Sequence, residues 1–273
     1  MGVKSMAALV HQAVPHATFR VLGWGIFSGL AVSFLWYHPT SPIALWRGDV
    51  ALGSGRPHNA IVAYDAVGHG HPDPAVRAEA LRRSALVWAV ELGRPDEARL
   101  RYEWLLPLPM DRPRRAKVLD HLGELLVDEG RYRDAAQRLR EAHDLDPGAS
   151  EAGDRLVRSA RAAAMAGDDP AAERTWRRLA TKHPVLAARA SLGRANLRLQ
   201  RGDAVGALAL YEGAVDTAFD PDVAAVAQLG ITTCLERLGD LDSALSELHA
   251  ADLPSDIQAQ RASSIRARER LVH

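Results

Sequence analysis

Residues Ala116–Ala149 read AKVLDHLGELLVDEGRYRDAAQRLREAHDLDPGA. Leu119, Leu122 and Leu126 recur at three- and four-residue intervals, the period of one helical face, and Ala135, Leu139 and Ala142 do so again after Gly130. The stretch predicts two amphipathic helices folded back on each other, with Gly130 supplying the turn conformation and Pro147 stopping the second helix. Alanine at 135 lets the second helix cross the first closely, and Leu139, one turn on, fills the space beside it.

The same glycine, alanine and large residue at offsets of five and nine occur throughout the chain beyond Pro42. The instances are Gly55-Ala60-Tyr64, Gly93-Ala98-Tyr102, Gly130-Ala135-Leu139, Gly167-Ala172-Trp176, Gly202-Ala207-Tyr211 and Gly239-Ala244-Leu248. Their 35–38-residue spacing is a solenoid period. Pro72, Pro147, Pro184, Pro221 and Pro254 are expected just after second helices, with Pro107 and Pro109 doing the same after Tyr102. Ser255 to Val272, with Ile257, Ile265 and Leu271, reads as a polar closing helix over the last open face.

The best copy resembles the tetratricopeptide repeat: Leu119, Leu122, Gly123 and Leu126 match its first helix, Gly130, Ala135, Leu139 and Ala142 its turn and second helix, and Pro147 its close. The resemblance implies an all-α, right-handed helical-hairpin solenoid of about six repeats over 41–258, with 259–273 as capping helix and tail. The period exceeds the family's 34 residues, which places extra residues in second helices or inter-repeat turns. Arg198 stands where a large apolar residue is usual, an expected local shift of register.

Before the repeats, a tail (1–18) leads to an apolar segment (19–38). Val21 to Tyr37 carries no charge and has Trp24, Trp36 and Tyr37 near its ends, as expected of a transmembrane anchor. A cleavable signal would need a small-residue cleavage site, which His38-Pro39-Thr40-Ser41-Pro42 does not supply; a buried helix is the other alternative. Met6 occupies the position where a myristoylation signal needs Ser or Thr. Lys4 and Arg20 precede the uncharged run, which favours a cytoplasmic N-terminus and an extracytoplasmic solenoid. Gly25, Gly29 and Ser33 have the small-xxx-small spacing through which two such helices could form a homo-oligomer.

The 273 residues hold 34 basic and 34 acidic side chains, so net charge gives no reason to expect nucleic acid as a partner. Only Lys4, Lys117 and Lys182 are lysine, an arginine-rich bias associated with GC-rich bacterial genomes. Cys234 alone excludes an internal disulfide and is expected as a small buried hydrophobe. His69-Gly70-His71 offers two ligands where a stable metal site needs three or four, and is expected to be a solvated turn. His121, His143, His183 and His249 are scattered over different repeats without evident acidic partners. No phosphate-binding glycine motif is present, and neither an enzyme nor a cofactor is expected.

The family's first helices line a concave groove. Carried over, that implies a protein-binding surface of Arg83, Val87 and Glu91, then Lys117, Asp120, Glu124 and Asp128, then Asp154, Val157 and Arg161, then Arg189, Asn196 and Gln200, and finally Glu236 and Arg237. The family's clamp for a C-terminal carboxylate needs lysine four residues before asparagine, but Leu192 precedes Asn196. The resemblance is to membrane-anchored bacterial envelope factors: a non-catalytic scaffold or adaptor binding envelope proteins in complex assembly or protein export. Two further possibilities are a stoichiometric accessory subunit of an integral membrane complex and a regulator of a separate catalytic chain.

Overall fold

The computed structural model describes residues 43–251 and 254–272. The proposed anchor at 19–38, with Gly25 and Gly29, lies outside them. Among the described residues no helix is long and apolar enough to cross a membrane.

The described residues form thirteen α-helices. Six hairpins pair α1 (Ile43–Gly53) with α2 (Pro57–Gly70), α3 (Pro74–Leu86) with α4 (Pro95–Leu105), α5 (Arg112–Asp128) with α6 (Tyr132–Leu145), α7 (Ala152–Met165) with α8 (Asp169–Lys182), α9 (Ala187–Gln200) with α10 (Ala204–Thr217), and α11 (Pro221–Leu238) with α12 (Leu241–Ala250). A final helix, α13 (Ser255–Val272), packs on α12 and runs unbroken across residue 258. Each helix packs on the next in sequence, as a solenoid requires.

All six motif glycines have positive φ, between 61° and 83°, and no other described residue does. They end the first helices in left-handed geometry, and the residue after each returns its N–H to a carbonyl near the helix end, as Arg131 does to Leu126 at 2.8 Å and Asp168 to Ala163 at 2.9 Å. In the last three hairpins that residue is Asp168, Asp203 or Asp240, whose carboxylate also caps the second helix. The turn is therefore closed from both sides.

The alanines at offset five and the large residues at offset nine are buried in all six hairpins. Small residues on first helices make room for the large ones: a Cβ at Gly123 would run into Leu139, and one at Gly193 into the Trp176 ring. The extra length over the family period does not lie in the second helices, which hold 14 residues or fewer. It lies in the longer first helices α5 and α11, in the inter-repeat turns, and in the π turn Val87–Glu91 that extends α3. Arg198 causes no register shift; α9 continues to Gln200 and the arginine leans out to pair with Asp203 at 3.0 Å. Cys234 is fully buried, and burial pushes its thiol up to about 11.

Candidate protein-binding surface

The first helices do not present a row of free charges. Asp49 on α1 accepts hydrogen bonds from Arg83 on α3 at 2.5 and 2.8 Å and from the Tyr64 hydroxyl at 2.7 Å. Burial and that bond to Asp49 push the Tyr64 hydroxyl up to about 12. Asp120 on α5 accepts from two residues of α7, Arg155 at 3.1 Å and Arg158 at 2.7 Å, and Glu124 pairs with Arg158 as well. Arg189 on α9 lies 3.7 Å from Asp154 and 3.5 Å from Asp220. Glu236 on α11 is held by Arg261 and Arg268 of α13, each at 2.9 Å.

These pairs have a common design, an acid on one repeat and an arginine about one period later: Asp49 and Arg83, Asp120 and Arg155, Glu124 and Arg158, Asp154 and Arg189, Glu236 and Arg268. The second helices repeat it, with Asp65 to Arg101 at 2.7 Å and Asp144 to Arg178. Arg155 is the extreme case, 1% exposed, donating to Asp120 and to the Asp146 carbonyl at 3.4 Å. Its sequence signal was available: it lies 35 residues after Asp120, on the face of α7 that carries the buried Ala152 and Ser159.

The structure divides the expected surface residues accordingly. Arg83, Asp120, Glu124 and Arg189 are bound into inter-repeat ion pairs. Asn196 is exposed and accepts the Tyr211 hydroxyl at 2.5 Å, and Arg237 donates to the Leu199 carbonyl at 2.6 Å. Val87 and Val157 are buried and face no solvent. Glu236 is also buried, because α13 continues the row of first helices and covers it. Glu91, Lys117, Asp128, Arg161 and Gln200 are exposed and make no hydrogen bond or ion pair among the described residues, so they can meet a partner without dismantling the stack.

Two of the histidines, His121 and His143, have acidic neighbours that were not expected. His69 closes the last turn of α2 with Nδ1 2.7 Å from the Asp65 carbonyl oxygen and its ring edge-on to Trp104, while His71 accepts the Asp73 amide at 3.1 Å, so the two do not converge on one point. His121 stacks on Tyr102 and approaches Glu124 at 3.6 Å. His143 is buried, with Nδ1 3.1 Å from Asp144 and Nε2 3.2 Å from His183. Among the described residues no group of three metal-ligating side chains comes together.

Residues 146–263 match the family model described as a tetratricopeptide repeat-like domain. That part of the chain is similar to a tetratricopeptide repeat-like domain. The likeness of fold extends further: YrrB, described as a TPR protein with an unusual peptide-binding site, aligns with a TM-score of 0.52 at 17% identity, over 74% of this chain and 98% of its own. MamA aligns at 0.49 and 19% identity, over 64% and 90% of the two chains, and pilF of Pseudomonas aeruginosa at 0.48 and 21%, over 81% and 96%. The chain matches no curated protein. At these identities the likeness is one of fold, that of a tetratricopeptide-like helical solenoid.

Proposed function

We propose that this tetratricopeptide-like chain is a non-catalytic scaffold, held to a bacterial membrane by residues 19–38, that binds segments of envelope proteins along its first helices during complex assembly or export. The observation that carries the reading is the separation of charges on that face. One set is committed to stacking, whereas Lys117, Asp128 and Arg161, from neighbouring repeats, are solvated and unpaired. Exposed charges of this kind contribute little to folding but steer and select partners across an interface. The peptide-binding site described for YrrB is a precedent on the same fold. The uncharged run from Val21 to Tyr37 supports the anchor, and an anchor raises the local concentration of membrane-bound partners.

The test is to capture the full chain from detergent-solubilised membranes beside a variant carrying Lys117→Glu, Asp128→Lys and Arg161→Glu. The variant is expected in the membrane fraction, with unchanged helical signal and depleted partners. Equal partner recovery would remove the first-helix face from the reading. An uncleaved full-length protein in the soluble fraction would remove the anchor.

A further inference from the structure

The opposite side of hairpins three and four, formed by second helices, carries a concentration of positive charge of which stacking uses only Arg178. Two adjoining clefts of about 250 and 230 Å³ lie between α6 and α8 and share Arg178. The first is lined by Arg140, Arg174 and Arg178, and the second by Arg178, Lys182, His143 and His183 together with Asp144. Arg174, Arg178 and Lys182 are spaced four residues apart, one stripe about 12 Å long on α8.

The acids nearby are already taken. Asp144 holds Arg178 and His143; Glu141 holds Arg138 at 3.0 Å and Gln137 at 2.8 Å; Glu173 holds Arg177 and Arg194, both at 2.9 Å. Arg140, Arg174 and Lys182 have no acidic partner among the described residues, in a chain whose net charge is zero. Local excess of one sign within a cleft concentrates field and attracts the opposite charge.

We propose that the α6–α8 cleft is a second interaction surface, which takes an acidic segment of a partner protein through Arg140, Arg174 and Lys182, with Arg178 between them held by Asp144. Guanidinium groups bind carboxylates bidentately, and carboxylates two turns apart on a helix match the spacing of Arg174 and Lys182 on α8. The clefts suit individual side chains better than a planar lipid surface. A duplex would call for a longer basic track than one 12 Å stripe. The inference rests on the proposed function only in taking the chain to bind proteins; its residues are not those of the first-helix face.

The probe is a fluorescein-labelled hexaglutamate peptide titrated by anisotropy against the full chain in neutral-lipid nanodiscs. Saturable binding is expected, weakening as salt rises from about 50 to about 300 mM. Arg174→Ala with Lys182→Ala, both exposed and unpaired, should lower affinity about tenfold with unchanged circular dichroism. Arg266→Ala with Arg270→Ala, exposed on α13 and on neither proposed surface, should leave it unchanged. The proposal is overturned if the parent does not bind the peptide, or if both pairs of substitutions weaken binding alike. It is also overturned if the cleft variant loses binding to phosphatidylserine vesicles but keeps the peptide, which would make the cleft a lipid site. Failure of the first-helix variant to alter partner capture would leave this cleft standing.

Discussion

Asp120 offers the sharpest test of how the repeats are held in register. Among the described residues its carboxylate is the one side-chain acceptor for Arg155, whose other bond, to the Asp146 carbonyl, is long at 3.4 Å. Arg155 is 1% exposed, so Asp120→Ala leaves an uncompensated charge inside the stack, a loss of about 3–5 kcal/mol. Arg158 is 30% exposed and keeps Glu124, so its share of the loss is at most about 1 kcal/mol. Replacing both members, Asp120→Leu with Arg155→Met, removes the charge together with its partner and should recover about 2 kcal/mol or more over Asp120→Leu alone. The assay is urea unfolding of the full chain in detergent, followed by far-ultraviolet circular dichroism. A loss below about 1 kcal/mol for Asp120→Ala, as for an exposed groove carboxylate, would refute the reasoning. So would a double variant no more stable than the single one.

Three further outcomes follow from the same geometry. Gly130→Ala should cost about 1–2 kcal/mol from its φ of 74° alone, since no atom lies within 4 Å of the added Cβ. Gly148→Ala, equally open and without positive φ, should be near neutral, and equal losses at the two sites in the same unfolding assay would dismiss the turn argument. Ala135→Trp, at a fully buried crossing, should lose at least about 1–3 kcal/mol and broaden the melting curve; an unchanged melt would put Ala135 outside the helix contact. Burial holds His143 below the ordinary histidine range against the opposing pull of Asp144, while Arg178 and His183 from the α8 side also disfavour its charge. The unfolded chain therefore takes up that proton more readily. Stability should be full above about pH 6.5 and fall as pH drops below it, and His143→Gln should flatten that part of the dependence of Tm on pH.

The sequence by itself determined the hairpin and its repetition. The glycine, alanine and large residue answer to constraints that act within one hairpin: a left-handed turn, a close crossing and a gap one turn away. Such constraints are local, so they leave a fixed spacing that one sequence displays six times. What the first-helix charges do could not be read the same way. Asp120 and Lys117 both fall on polar positions of α5, yet Asp120 meets Arg155 of the next repeat while Lys117 meets solvent. Glu236 looks open until α13 is laid across it. His143 and His183, 40 residues apart, become neighbours through the junction of two repeats. In each case the partner lies a full period or so away, and its distance depends on how one hairpin is rotated against the next. Periodicity sets which residues recur, but only the packed stack decides which of them touch, because a small change of rotation moves a long arginine from one carboxylate to another or out into water.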